Sequence, residues 1–65
     1  KSKDLQGAIS DYTKAIEIDP EYADYYVDRG IDREIMNDLK GACLDWRKAA
    51  DLGDERSAEW VKKQC

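Results

Sequence analysis

The chain is 65 residues long, one small domain at most, and contains no histidine, which removes His-based triads, His general bases and His-ligated zinc. Charged residues make up 40% and hydrophobic residues 42%, too mixed for a membrane span and too apolar for a wholly disordered tail. Against 11 Lys and Arg stand 15 Asp and Glu, a formal charge of -4, so nucleic acid and membrane are not expected partners and a charge-guided partner should be basic.

The chain opens on Lys1 without an apolar run that could serve as a signal peptide or span, and reads as a piece of something longer. Leu5, Ala8, Ile9, Tyr12, Ala15 and Ile16 recur at the spacing of one helical face, predicting a helix over 4–19 with Asp4 as its N-cap. Asp19-Pro20 ends it, because proline disfavours helical geometry in the residue before it. A second helix is expected over about 21–36, with Ala23, Tyr26, Val27, Gly30, Ile31 and Ile35 as its apolar positions and Asn37 closing it. Asp38 caps a third, in which Leu39, Ala42, Cys43, Trp46, Ala49 and Ala50 repeat the first template, and Gly53 stops it in a left-handed turn. Asp54 caps a last helix over 55–65, presenting Ala58, Val61 and Cys65 on one side. Short turns make successive helices antiparallel neighbours, an all-α fold of about four helices.

Internal repetition organises these elements. A shift of 34 residues lays Asp4, Leu5, Gly7, Ala8, Asp11, Lys14 and Ala15 on identical residues from Asp38 to Ala49, and Tyr12 and Tyr26 on Trp46 and Trp60. With Gly30, Ala42-x3-Trp46, Ala49 and the earlier Ala8-x3-Tyr12 and Pro20, the chain resembles the tetratricopeptide repeat, and its segment 48–60 is similar to the related Sel1-like repeats. The resemblance implies an antiparallel helical solenoid: the second helix of an incomplete repeat over 4–19, one full hairpin over 21–53, and a capping helix over 55–65. Arg29 and Arg33 stand where the family carries Leu and Tyr, which predicts a thinner buried stripe on the second helix.

Members of that family bind a partner peptide or protein in a concave groove lined by the first helix of each repeat and perform no chemistry. Carried onto this chain, the groove would comprise Asp24, Val27, Asp28, Ile31, Glu34 and Ile35, with Ala58, Val61 and Lys62 from the last helix. Its carboxylates favour a peptide with basic residues flanking an apolar anchor. The helix lacks the Lys/Asn clamp that some members use for a C-terminal carboxylate. The alternative reading is a structural cap and self-association element with no partner site of its own. Catalytic residues, cofactors and metal ligands are not expected: the hydroxyls lack a histidine base, and no calcium-loop or Cys-x-x-Cys spacing occurs. The helical spacing of the tyrosines and tryptophans favours packing over base stacking.

Two further expectations concern Cys43, Cys65 and the first helix. In an antiparallel hairpin turning near Gly53 the two cysteines lie level, so they are either packed thiols in a reducing, cytoplasmic setting or a disulfide in an oxidising one. Leu5, Ile9, Tyr12 and Ile16 lack a preceding helix to cover them, which predicts a homodimer through this face.

Overall fold

An aspartate opens three of the four helices, as the capping chemistry of a short carboxylate at a helix N-terminus requires. In the computed structural model, which describes residues 4–65, Asp4 accepts from the Gly7 amide at 2.9 Å, Asp38 from Gly41 at 3.0 Å and Asp54 from Ser57 at 2.8 Å. The helices are α1 (Leu5–Ile18), α2 (Ala23–Ile35), α3 (Leu39–Asp51) and α4 (Glu55–Gln64). Among the described residues there is no strand, and each helix packs on the next in chain order.

The turns follow local chemistry. Asn37 takes φ 70° after α2 and Gly53 φ 107° after α3, the left-handed geometry that reverses the chain. The second helix starts at Ala23, two residues later than the pattern predicts, because Pro20 leads into a turn in which the Tyr22 amide reaches back to the Asp19 carbonyl. Tyr22, the N-cap residue, has no side-chain cap. The Tyr26 hydroxyl instead donates to the Pro20 carbonyl at 3.0 Å, tying this turn to the helix that follows it.

The core lies along the α2–α3 seam. Tyr26, Val27 and Ala49 form a buried cluster, with Ile16, Ala23, Ile31, Leu52 and Trp60 packed around it. Trp46, 1% exposed, fits there because Gly30 has no side chain: a β-carbon at Gly30 would stand 2.6 Å from Trp46 Nε1 and 2.8 Å from its Cδ1. Trp46 and Trp60 then meet at 5.1 Å between centroids with their planes tilted by 56°, joining α3 to α4. A disulfide between Cys43 and Cys65 (Cα–Cα 6.1 Å) fastens the C-terminal end of α4 to the N-terminal half of α3.

Two opposing effects set the outcome of Gly30→Ala. Alanine is favoured over glycine in a helix by about 1 kcal/mol, but overpacking a rigid core costs about 1–3 kcal/mol, and the Trp46 ring has nowhere to move. Urea unfolding should show a net loss of about 1–2 kcal/mol with altered tryptophan fluorescence. A stabilised Gly30→Ala variant would contradict the packing described.

The cap at Asp54 makes α4 acid-sensitive. Burial pushes its carboxyl up, but the Ser57 amide bond, the adjacent Ser57 side chain and the Arg56 guanidinium outweigh this and hold it below the usual carboxylate range. The Ser57 hydroxyl faces the carboxylate without a well-formed hydrogen bond, so the amide carries more of the effect. A depressed folded-state value means stability that is complete above the unfolded value, about 4, and lost as pH falls through the depressed one. Asp54→Ala should cost about 1 kcal/mol at neutral pH, and thermal melts of the two proteins should converge as the pH falls through the depressed Asp54 value.

Candidate protein-binding surface

An ion-pair network missed by the pattern of apolar residues holds α2 against α3. Asp45 lies on the inward face of α3, three residues after Ala42 and four before Ala49, and is 3% exposed. Its two oxygens accept from Arg29 Nη2 at 2.7 Å, Arg29 Nε at 3.0 Å and Arg33 Nη1 at 3.1 Å. Arg29 also donates from Nη1 to the Thr13 hydroxyl at 3.0 Å, so one side chain links α1, α2 and α3. The hydrogen bonds to Asp45 raise the Arg29 value, burial opposes, and the charge of Asp45 adds to the rise. The buried stripe of α2 is thin, as expected, limited to Tyr26, Val27 and Gly30. Arg29 and Arg33 nevertheless turn toward α3, where Asp45 matches their charge.

With Arg29, Arg33, Tyr26 and Gly30 committed to α3, the opposite side of α2 is set. Asp24, Asp28, Ile31 and Ile35 recur at i, i+4, i+7 and i+11 and form one strip. Ile35 is 62% exposed, Asp28 and Ile31 are half-buried, and Glu34, also half-buried, flanks the strip. Asp24, with 56% of its side chain exposed, lies 3.6 Å from Arg56 of α4. Asp28 and Asp32 converge on the Tyr12 phenol of α1, whose value is raised by burial first and then by these two carboxylates. The face is acidic, with an apolar end at Ile35 and Met36.

Not every residue assigned to the groove belongs on this strip. Val27 is 1% exposed and packs in the core with Tyr26 and Ala49, so it cannot touch a partner; its position on the helix turns it toward α3. Val61 and Lys62 line a different, shallow groove between α3 and α4, shared with Arg47, Ala50, Asp51 and Ala58. Leu5, Ile9, Tyr12 and Ile16 are all half-buried, and Ile16 packs on the core, so α2 already covers part of the stripe expected to be open. The most exposed apolar side chain of α1 is Ile18, at 86%. Cys43 and Cys65, expected either as thiols or as a pair, are bonded.

Among the described residues no group of His, Cys, Asp and Glu is placed to hold a metal ion, and no helix is long and apolar enough to cross a membrane. Residues 1–31 match the family model described as TPR repeat, a match that spans α1 and α2 as far as Ile31. No curated protein and no solved structure matches the chain.

Truncating Asp45 leaves two half-buried guanidinium groups facing each other with no counter-charge. Asp45→Ala should cost about 3 kcal/mol in chemical denaturation, at the low end for breaking a buried pair because Arg29 and Arg33 keep some access to water. Asp11→Ala, at the exposed position one repeat earlier, should change stability by no more than about 0.5 kcal/mol.

Proposed function

We propose that the chain, whose residues 1–31 match the TPR repeat model, is a non-enzymatic scaffold of the tetratricopeptide-repeat kind that binds a protein segment along α2 and carries out no reaction of its own. The occupant we favour is a peptide with basic side chains on either side of an apolar anchor.

The observation that carries this reading is the strip Asp24, Asp28, Ile31, Ile35, in which two carboxylates lead along one face of the helix to half-buried Ile31 and exposed Ile35, while the other side of the helix is occupied by α3. Arg56 near Asp24 supports the chemistry: a guanidinium already sits beside the first carboxylate, loosely at 3.6 Å and exposed to water, where a partner's arginine could replace it. The neighbouring Glu34 and Asp28 extend the negative field toward Ile35, which would guide a basic peptide in and fix its register more than it would raise its affinity. Lys62 and Val61, placed in the α3–α4 groove, take no part in this strip.

Fluorescence anisotropy with short labelled peptides tests the proposal. A peptide of the pattern basic–apolar–basic should bind at low ionic strength and lose about tenfold in affinity when an acidic peptide of equal apolarity replaces it, or when salt is raised to about 0.5 M. Reversing Asp24, Asp28 and Glu34 to lysine should abolish the preference. Equal binding of both peptides by the native chain and the triple variant would overturn it.

A further inference from the structure

The guanidinium of Arg56 is shared by two carboxylates that hold it unequally. Arg56 is the second residue of α4, in the first turn of a helix, where the helix dipole disfavours a cation. What keeps it there is Asp54, the N-cap of the same helix. Arg56 Nη2 donates to Asp54 Oδ1 at 2.9 Å, and Nε donates to the same oxygen at 3.3 Å. The other oxygen, Oδ2, accepts from the Ser57 amide at 2.8 Å, so one oxygen caps the helix while its neighbour grips the arginine.

Asp24, at the start of α2, has the weaker hold. Its Oδ1 lies 3.6 Å from the same Nη2, an ion pair without a hydrogen bond. Its side chain is 56% exposed against 12% for Asp54, so water screens this contact more. Asp54 raises the Arg56 value first, burial opposes, and the charges of Asp24 and then Asp28 add to the rise, so the guanidinium stands in the field of both carboxylates of the α2 strip. Asp24 also raises the value of the Tyr22 phenol beside it, and so has a polar neighbour whether or not Arg56 stays.

From this we propose that Asp54 controls access to the acidic end of the α2 strip through Arg56, an inference that rests on the reading of that strip as the seat of a basic peptide. In the free chain Arg56 spans both carboxylates and stands where the partner's cation goes. When that cation reaches Asp24, Arg56 gives up the 3.6 Å contact and keeps both hydrogen bonds to Asp54, so it withdraws without being stranded. Asp54 is a positioning residue: its own side chain is mostly buried, and it acts on the strip only by setting how firmly Arg56 competes for Asp24. The arrangement belongs entirely to α2, α4 and the turn before α4. Its sign is fixed by charge. A weaker hold at Asp54 lets Arg56 close on Asp24, and removal of Arg56 leaves Asp24 open.

Anisotropy titrations with the labelled basic–apolar–basic peptide, at low ionic strength, test the proposal. Arg56→Gln should tighten binding roughly two- to fivefold, the range that a solvent-exposed ion pair sets. Asp54→Asn keeps a side-chain oxygen for the Ser57 amide and should preserve helicity by circular dichroism, yet weaken binding by about the same factor. In the Arg56→Gln background, Asp54→Asn should leave affinity unchanged, because nothing remains for Asp54 to hold; a simple loss of negative field would weaken binding equally in both backgrounds. In the native chain the Arg56 Nε–H resonance should shift as peptide is added, a readout that needs no substitution. An Asp54→Asn effect of equal size with and without Arg56, an unchanged affinity in Arg56→Gln, or an Arg56 resonance indifferent to saturating peptide would each overturn the proposal while leaving the peptide site standing. Failure of both the native chain and Arg56→Gln to bind the peptide would overturn the site and the proposal together.

Discussion

A buried carboxylate between two arginines is the constraint around which this molecule is organised. Removing Asp45 from water has a large desolvation cost, and only the bidentate grip of Arg29 with the further bond from Arg33 makes the position tolerable. That geometry fixes the rotation of α2 about its own axis. Once Arg29 and Arg33 point at α3, Gly30 must face Trp46 and Val27 must enter the core, while Asp24, Asp28 and Ile35 turn outward. Thr13, bonded to the same guanidinium, extends the constraint to α1. An apolar pair at this place could pack with equal or greater stability but would specify the helix rotation less sharply.

The same rotation sorts charge over the surface. Carboxylates collect on the outward face of α2 and around the Tyr12 phenol, whereas Arg47 and Lys62 border the α3–α4 groove. The formal charge of -4 is therefore unevenly spread: the α2 face is acidic, whereas the α3–α4 groove is mixed, with Asp51 beside Arg47 and Lys62.

Much of the fold could be read directly from residue types. Asp4, Asp38 and Asp54 announced the helix starts, Asn37 and Gly53 the reversals, and the 34-residue shift the pairing of Tyr12 with Trp46. These features are local, set by a side chain and the few residues beside it. The inward turn of the arginines was not legible from local pattern, because a charged residue on a helix is ordinarily solvated and the partner that draws Arg29 in is an aspartate sixteen residues away. The signal was nevertheless present: Asp45 shares the spacing of Ala42 and Ala49, and Arg29 and Arg33 are one turn apart on the facing helix. Val27 was assigned to the binding face through likeness to the family, whereas its angular position, next to Ala23 and Gly30 on the inward side, places it with the core. The stripe on α1 proved two-sided, one edge covered by α2 and the other left half-open, a division that apolar spacing alone does not express.

The cystine changes what a broken backbone would mean for this chain. It joins residues 22 apart in sequence and so encloses the whole α3–turn–α4 hairpin in a covalent ring, with the exposed Gly53 at its far end. A protease cutting at that reversal would open the ring without releasing anything: the last helix would stay tethered through sulfur, with Trp60 held near Trp46. Only an added thiol reductant would then let the two pieces part, so the hairpin can outlast the continuity of its own main chain.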